Sequence, residues 1–374
     1  MKNIADLKHC YGCGACIPAC PVDIISLHEN SDGFYVPKID HPRKCTSCGL
    51  CLKVCAYKNH DRSDVMPMGH AGWSLDTDQR LAASSGGVAP ALADAFFAEF
   101  GDKARVLGVR YNPDLQRAEH YIAANADELR AATGSKYLQS YTEDAFRGID
   151  FKDKDLHWLI FGTPCQISSL RRLAKLRRAE DRCLFVDFFC HGVPSRLLLK
   201  RYISREGLPK DVKLSWRDKT LGWHDSWVMT GTDDAGTEVL RSAWTRGDEF
   251  YRIYLDNICF NRCCYGHCRF KGLTSDADLR LGDFWGKKYE NNEDGISAIV
   301  TFNERGRQAL ACDTIDTEKV EVREILRGQM RHRMSRPKRA RAIALALLRM
   351  HAPLKAVEWT GRIYKKFHKE KPRK

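Results

Sequence analysis

Eight cysteines near the N-terminus fall into two sets with the same internal spacing. The first set is Cys10, Cys13, Cys16 and Cys20, and the second, 35 residues later, is Cys45, Cys48, Cys51 and Cys55. The spacing C-x2-C-x2-C-x3-C is the bacterial run that binds two iron-sulfur clusters, with the fourth cysteine of each set reaching the other cluster. It assigns one 4Fe-4S cluster to Cys10, Cys13, Cys16 and Cys55, and a second to Cys20, Cys45, Cys48 and Cys51.

This duplicated unit predicts a small ferredoxin-like domain over residues 1–62. Gly12, Gly14 and Ala15 leave room for backbone amides to approach the cluster sulfides. The alternative is a zinc ribbon, but zinc sites use two CxxC pairs with a longer interval between them. The run therefore predicts one-electron transfer, while the direction of electron flow stays open because cluster potentials depend on their surroundings.

A second group of cysteines lies at predicted strand ends. Cys165 follows the apolar run WLIFGTP, and Cys190 follows LFVDFF. In an open α/β sheet, ligands bind at the carboxyl ends of strands, so these two thiols could face one site. With Cys264 and Cys268 they could hold a third cluster. The alternatives are that Cys165 and Cys190 are buried apolar residues, or that the cysteines of 259–268 bind zinc with His267.

Two polar turns carry further candidates. Ser84, Ser85, Gly86 and Gly87 precede a predicted helix, where exposed amides suit a phosphate; the alternative is an ordinary serine cap. In the turn 134–140, Lys136 could meet an anion, although most lysines in such turns are only solvated.

The predicted secondary structure around these residues changes along the chain. Residues 60–80 are polar and irregular, as in a linker. Beyond them, strands alternate with helices, which predicts an α/β domain with a mainly parallel sheet over 80–326. The predicted strands are 106–110, 158–161, 184–189, 276–283 and 296–302, and the predicted helices are 90–100, 167–178 and one from about 305. Residues 211–246 predict a small antiparallel insertion.

Composition and charge narrow the class of protein. A hydrophobic fraction of 43% suffices for a packed core. No apolar run approaches the roughly 20 residues of a membrane span, and the N-terminus has no apolar leader, so with its sixteen cysteines we expect a cytoplasmic protein with reduced thiols.

The net charge of +13 originates in residues 327–374, which form a predicted basic helical tail. The tail has sixteen Lys and Arg against Glu358 and Glu370, so the rest of the chain has a net charge of −1. A neutral body argues against nucleic-acid binding there. In the tail, Ile343, Leu347, Met350 and Leu354 recur at helical spacing. The tail could pack on the body with its charges solvated, lie on an anionic membrane, or bind an acidic redox partner or nucleic acid.

Together, these segments resemble the coenzyme F420 hydrogenase/dehydrogenase beta-subunit family, in the form with an N-terminal dicluster ferredoxin. The resemblance covers about residues 1–310 and not the tail. The segments that carry it are SSGG at 84–87, GSKYLQS at 134–140, FGTPCQI at 161–167, CHGVPS at 190–195, WRDKTLGW at 216–223, CYGHC at 264–268 and SDADLRLGDFWG at 275–286.

The resemblance implies an FAD in the α/β domain with a 4Fe-4S cluster beside it, held by Cys165, Cys190, Cys264 and Cys268. The late pair departs from the family's CxxC spacing, so Cys259 and Cys263 remain alternative ligands. It also implies cofactor-binding roles for Ser84, Ser85, Gly86, Gly87, Ser135, Lys136 and Thr163. Asp283 and His191 are candidate catalytic groups in the same pocket.

The hypothesis is an iron-sulfur flavoprotein oxidoreductase. A ferredoxin or another low-potential carrier reduces it, electrons pass through the clusters to FAD, and an organic substrate receives hydride. The alternatives are a non-catalytic electron-transfer subunit of a larger complex and, motivated by the tail, an iron-sulfur enzyme that modifies nucleic acid. The identity of the small-molecule substrate, including whether it is the deazaflavin coenzyme, is not encoded in these motifs.

Overall fold

The computed structural model describes residues 2–59 and 66–367. The strands are β1 (Ile25–Glu29), β2 (Tyr35–Ile39), β3 (Met68–Ser74), β4 (Ala104–Asn112), β5 (Arg117–Ala123), β6 (His157–Phe161), β7 (Cys183–Phe188), β8 (Lys213–Ser215), β9 (Val228–Thr232), β10 (Glu238–Ala243), β11 (Leu279–Asp283), β12 (Ser297–Thr301) and β13 (Ile315–Val320).

The helices include five of ten residues or more, two of which form the C-terminal hairpin. The α-helices of the described residues are α1 (Leu50–Lys53), α2 (Thr77–Ala82), α3 (Val88–Phe100), α4 (Ala126–Leu129), α5 (Glu143–Arg147), α6 (Pro164–Leu176), α7 (Arg196–Arg205), α8 (Glu249–Leu255), α9 (Glu304–Ala309), α10 (Val322–Arg327), α11 (Lys338–Arg349) and α12 (Leu354–Phe367). The helices predicted at 90–100 and 167–178 correspond to α3 and α6, and the helix predicted from about 305 to α9.

An eight-stranded sheet with the order β13-β3-β12-β11-β7-β6-β4-β5 organises the body. β4, β6, β7 and β11 are mutually parallel and form its centre. β6 and β7 read as nearly continuous apolar runs because both of their faces are buried. The prediction of a mainly parallel sheet was wrong: the sheet is mixed, since β5 on one side and β12, β3 and β13 on the other pair antiparallel.

The predicted linker 60–80 contains part of this sheet. β3 lies between β12 and β13, and its small residues Gly69 and Gly72 closely approach neighbouring backbone atoms. This polar, glycine-bearing segment therefore forms an interior strand. Main-chain hydrogen bonds to strands on both sides stabilise it, although it has few apolar side chains that favour strands. Residues 60–65 of the predicted linker and 368–374 of the predicted tail lie outside the described residues.

The N-terminal cysteine domain carries the β1–β2 hairpin and docks onto the body through buried amide contacts. The Gln139 side chain accepts a hydrogen bond from the Tyr35 amide (2.9 Å) and donates to the Tyr35 (3.0 Å) and Gly12 (3.3 Å) carbonyls. The Ala56 amide donates to Ser169 Oγ on α6 (3.1 Å). The ferredoxin-like part is thus fixed against the sheet domain by satisfied buried polar groups.

The predicted antiparallel insertion is a three-stranded sheet with the order β10-β9-β8. The predicted helical tail forms the α11–α12 hairpin, which packs on α7 and α8. Its buried side consists of small and branched residues, chiefly Ala344, Leu345, Leu348 and Val357. No helix among the described residues is both long and apolar enough to cross a membrane.

Candidate functional site

Three cysteines of the second set line one small cavity together with one cysteine of the first set. Cys45, Cys48 and Cys51 lie around it with Cys20. The crossed arrangement follows from the local fold, because Cys20 ends its own loop and points toward the neighbouring one. This is the donor set that the spacing assigned to one cluster, and four thiolates fit a 4Fe-4S cube.

The remaining members of the two sets also lie together. Burial raises the pKa of the Cys16 thiol, and the neighbouring Cys13, Cys10 and Cys55 raise it further. The loop that carries them is tightly packed: Gly12 and Gly14 have positive φ angles, and a Cβ on Gly14 would lie 2.1 Å from Thr142 Oγ1. The glycines of this run therefore serve close packing against the body.

A separate cavity has six cysteines in its wall. These six are Cys13, Cys165, Cys190, Cys263, Cys264 and Cys268. It is called the third cavity because it contains the cysteines of the predicted third cluster. Burial raises the pKa of the Cys165 thiol, as do Cys13, Cys190 and Cys264 nearby. Cys259 is fully buried and does not line the cavity, and Cys183 and Cys312 lie elsewhere, with their sulfurs near the Ala179 carbonyl and Thr314 Oγ1. The predicted third donor set lies among the six cysteines of the wall: Cys165, Cys190, Cys264 and Cys268 are four soft donors from three segments, a set of the kind that binds polynuclear iron.

These cysteines line cavities and do not converge on a point. Among residues 2–59 and 66–367, no three Cys, His, Asp or Glu side chains are grouped so as to hold a metal ion. Cys165 is fixed by a helix start: Thr163 caps α6, Pro164 occupies its first position, and the Gln166 side chain accepts a hydrogen bond from the Thr163 amide (2.8 Å). The sequence TPCQ carries this capping box.

A larger cavity of about 490 Å³ opens at the carboxyl ends of β6, β7 and β11, against the N-terminus of α3. Its volume lies in the range of small-molecule and cofactor sites. The sequence-predicted residues in its wall are Ser84, Ser85, Gly87, Ser135, Lys136, Thr163, Cys190, His191 and Asp283. The sheet therefore brings together turns that lie up to 199 residues apart in the chain.

Gly86 alone among the predicted cofactor-binding residues does not line this cavity. Its amide donates to Ser297 Oγ (3.0 Å), and a Cβ built on it would lie 2.4 Å from the Gly72 carbonyl oxygen. Gly86 thus lets the turn approach β3 and β12. Gly87, with φ +79°, turns the chain into α3.

A hydrogen bond between Ser135 and Ser84 holds the two polar turns against each other, and Lys136 braces its own turn. Lys136 Nζ donates to the carbonyls of Ala132 (2.7 Å), Thr133 (2.9 Å) and Gly134 (3.0 Å), and burial lowers its pKa to about 7. The Ser135 amide donates to Ser84 Oγ (2.8 Å). These groups give one end of the cavity a cationic and hydroxyl-rich wall that suits a phosphate or another anion.

Asp283 is held by a residue that the sequence analysis did not identify. Its carboxylate accepts hydrogen bonds from Arg217 Nη1 (3.0 Å) and Trp223 Nε1 (3.2 Å). Burial alone would lower the pKa of Arg217, but Asp283 and Tyr137 together raise it, so the guanidinium stays charged. Arg217 lies in the WRDKTLGW segment, and only its position behind the cavity wall marks it as a positioning residue.

Aromatic rings form much of the remaining wall. Tyr137 stacks on Trp227 with ring centroids 5.2 Å apart, and the Arg217 guanidinium lies 5.0 Å from the Trp227 ring. Trp285 stacks on Trp223 at 5.0 Å. Tyr137, Trp227 and Trp285 line the cavity and supply flat apolar surface for a planar ring system.

His191 is present at the cavity as a neutral imidazole. Burial, and then the Lys271 ammonium, lower its pKa to about 4, and its Nε2 lies 2.6 Å from Asn257 Oδ1. Lys271 Nζ donates to the carbonyls of Cys190 (2.6 Å) and His191 (2.9 Å) and so fixes this turn. His224 lies outside the cavity wall, with its Nε2 3.4 Å from the Tyr289 carbonyl.

The third cavity and the large cavity share a wall. Ser140, Thr163, Gln166, Cys190, Gly192 and Val193 line both. Cys13 lines the third cavity from the other side. The capped start of α6 and the turn after β7 therefore separate the cysteine-lined space from the larger one by a single layer of residues.

Comparison with known proteins agrees with the order of these parts. Residues 156–327 match the family described as the C terminus of the coenzyme F420 hydrogenase/dehydrogenase beta subunit, and residues 9–59 match the 4Fe-4S dicluster domain. An uncharacterized protein of Methanocaldococcus jannaschii is 25% identical over 201 residues, which is 46% of this chain and 54% of that protein. This chain thus spans about half the length of that relative.

Two further likenesses concern redox complexes. One component of the Na⁺-translocating ferredoxin:NAD⁺ oxidoreductase complex of Acetobacterium woodii is 50% identical over 46 residues, 12% of each chain. A chain of the F420-reducing nickel-iron hydrogenase complex of Methanosarcina barkeri superposes with a TM-score of 0.47 at 16% identity, covering 81% of this chain and 92% of that one. By its two family matches, the chain is an iron-sulfur protein in which a 4Fe-4S dicluster domain precedes a region similar to the C terminus of the coenzyme F420 hydrogenase/dehydrogenase beta subunit.

Proposed function

We propose that this protein is a flavin-dependent iron-sulfur oxidoreductase that passes electrons from a low-potential carrier to an organic substrate. The observation that carries the proposal is the succession of shared walls. Cys13 belongs to the first cysteine group and also lines the third cavity, and Cys190 lines both the third cavity and the large one. Redox groups in these spaces would be neighbours in a row.

Residues of three segments would hold the third cluster. Cys165 at the start of α6, Cys190 after β7, and Cys264 with Cys268 are the proposed ligands. Cys263 remains an alternative ligand, because it lines the same cavity. Burial raises the pKa of its thiol, and a hydrogen bond with the Cys10 backbone offsets part of this rise. Lys271 positions Cys190 through its carbonyl.

The large cavity suits FAD in both size and chemistry. Lys136, Ser84 and Ser135 would bind phosphate oxygens, and the aromatic wall of Tyr137, Trp227 and Trp285 would pack against a ring. A flavin supplies the exchange between one-electron clusters and a two-electron organic acceptor. The chain's own part is to bind and orient this group and to exclude water from it.

Asp283 would help to orient a bound molecule, and His191 would help to orient the turn beside Cys190. The Asp283 carboxylate is fixed by Arg217 and Trp223, which leaves it able to accept a hydrogen bond from a bound molecule. His191 is neutral at pH 7 and engaged with Asn257, so its role would be to order the turn beside Cys190. Arg217 would be the positioning residue, because it contacts Asp283, Tyr137 and Trp227 at once.

A second candidate is a non-catalytic electron-transfer subunit that serves a partner enzyme. The observation in its favour is that the matched family is defined by beta subunits. Both candidates need the same clusters, and they differ in whether the isolated chain turns over a small molecule. Ferredoxin-type carriers are the proposed electron donors in either case.

The first experiment measures iron and flavin in the full chain purified without oxygen. About twelve irons and one flavin per chain are expected for three 4Fe-4S clusters and FAD. About eight irons without flavin would contradict the relay and leave a ferredoxin-like carrier. Reduction of deazaflavin, nicotinamide or sugar-derived substrates by the isolated chain would decide against the non-catalytic role.

A further inference from the structure

The α11–α12 hairpin covers the body with only one side. Both helices bury residues against α7 and α8, among them Ala344, Leu348 and Val357. Since side chains three and four apart share a helix face, the positions between these buried ones face away from the body. The hairpin therefore presents a second, outward side.

Exposed apolar side chains are concentrated on the hairpin, most of them on that outward side, while Trp359 also borders a groove between α12 and the body. Ile343 is 51% exposed, Met350 77%, Trp359 65% and Phe367 74%. Among the described residues, a third of the exposed large apolar side chains lie within residues 338–367. Single exposed apolar residues are ordinary on a protein surface, whereas a concentration of them marks an interaction site.

Cations lie near these side chains, and only some of them are neutralised by ion pairs. Residues 338–367 contain eight Lys and Arg against one acidic residue, Glu358. Arg349, Arg362 and Lys365 pair with Asp32, Glu358 and Asp256, respectively. No acidic partner is within ion-pair distance, among the residues that the structure describes, for Lys338, Arg339, Lys355 and Lys366. The outward side thus combines exposed apolar groups with unpaired positive charge.

We propose that this outward side docks the protein on an anionic lipid bilayer. Basic helices with an exposed apolar stripe lie in the headgroup region, with the apolar side chains below the phosphates and the cations among them. Trp359 and Phe367 would enter the boundary, and Arg339, Lys355 and Lys366 would bind lipid phosphates. The hairpin would lie on the surface, since no described helix can cross a membrane.

The observations favour a bilayer over an acidic redox protein. An electron carrier must approach a cluster, yet no residue of 338–367 lines any of the cysteine-bearing cavities or the large cavity. A bilayer needs only the outward side itself. The proposal is independent of the redox chemistry proposed above.

The test is co-sedimentation of the full chain, with its clusters, on vesicles. Binding to vesicles with equal parts phosphatidylglycerol and phosphatidylcholine should exceed binding to pure phosphatidylcholine by at least about tenfold, because each basic residue near an anionic surface contributes about fivefold. Met350→Ser with Trp359→Ser, and separately Arg339→Glu with Lys366→Glu, should each reduce that binding at least about tenfold.

Leu115→Ser is the matched control, because Leu115 is 50% exposed and lies in the β4–β5 turn, outside the hairpin. Unchanged iron content in every variant verifies folding. Equal binding to both kinds of vesicle, or hairpin variants that bind like the wild type, would overturn the proposal. So would hairpin variants that slow reduction by an acidic ferredoxin while no form of the chain binds vesicles, because the surface would then serve a protein partner.

Discussion

The two redox regions of this molecule are built in opposite ways. In residues 9–59, eight cysteines follow one another at fixed spacing, and both donor sets come from that single segment. The large cavity and the proposed third donor set of Cys165, Cys190, Cys264 and Cys268 draw on segments from residue 83 to residue 330. Local spacing is enough to define the first region, whereas the second exists only once the sheet has formed.

The two regions also differ in the kind of residue on which each depends. In the dicluster region, the ligands themselves carry the recognisable pattern. In the cavity, residues such as Arg217 and Gly86 matter through what they hold in place and do not touch the space directly. Substitutions in the two regions should therefore have different effects on iron, flavin and stability, and four of them test this difference.

The largest effect is expected from Cys16→Ser. Cys16 is a buried proposed ligand, and metal binding in such small domains is coupled to folding, so loss of the thiolate should cost about four irons and protease resistance of residues 9–59. Iron analysis and limited proteolysis measure this. Cys183→Ser is the control, since Cys183 is equally buried and its thiol donates only to the Ala179 carbonyl. Full iron content in Cys16→Ser would refute the ligand assignment.

Cys190→Ser should remove a cluster without disturbing the dicluster region. About a third of the iron is expected to disappear, while electron paramagnetic resonance of the reduced protein keeps the signals of two clusters. The matched variant is Cys259→Ser, because Cys259 is buried but outside the cavity wall, and it should retain all iron. If the two variants behave alike, the third donor set is wrong.

Gly86→Ala should damage the cavity and leave the clusters of residues 9–59 intact. The new Cβ would meet the Gly72 carbonyl oxygen at 2.4 Å and the Ser297 amide at 2.6 Å. Such crowding costs about 1–3 kcal/mol, so the melting temperature and bound flavin should fall while the dicluster signals persist. Gly266→Ala has no neighbour within 4 Å and should leave the melting temperature unchanged. A stable, flavin-replete Gly86→Ala protein would argue against the packing role.

The smallest effect is expected for the pH dependence of FAD binding, which would come from Lys136. Burial lowers its pKa to about 7, so the ammonium that would bind a phosphate is lost as pH rises through that value. FAD affinity, measured by fluorescence titration, should weaken about three- to tenfold between about pH 6 and about pH 8.5. Lys136→Arg keeps its charge and should give a flat profile. A wild-type profile equally flat would show that Lys136 does not contact the anion.

Much of the fold followed from local patterns, and the failures have physical reasons. The strands around 106–110, 158–161 and 184–189 were predictable because buried parallel strands are apolar along their whole length. β3 was missed, since MGHAGWS lacks branched apolar residues and its strand character comes from two neighbours. The mixed sheet was missed for the same reason, because pairing direction depends on partners distant in sequence.

The C-terminal tail was also only partly predictable from the sequence. Its helices and its charge could be read from composition, but the stripe of Ile343, Leu347, Met350 and Leu354 did not foretell which side faces the body. In the structure, Leu354 is buried and Ile343 and Met350 are exposed, because Ala344, Leu345 and Leu348 supply the contact with α7 and α8. Small residues allow the close helix packing that a periodic pattern of large ones did not indicate.

The dicluster domain, the family resemblance and the candidate turns could be predicted from the sequence alone, because cluster ligands and helix caps depend on residue spacing within short stretches of chain. In the folded chain, Cys190 and Thr163 face two cavities at once, Cys259 faces neither, and Gly86 packs against the sheet, and none of this could be predicted from the sequence. Those relations depend on which strands lie side by side, and strand order is a property of the folded chain as a whole.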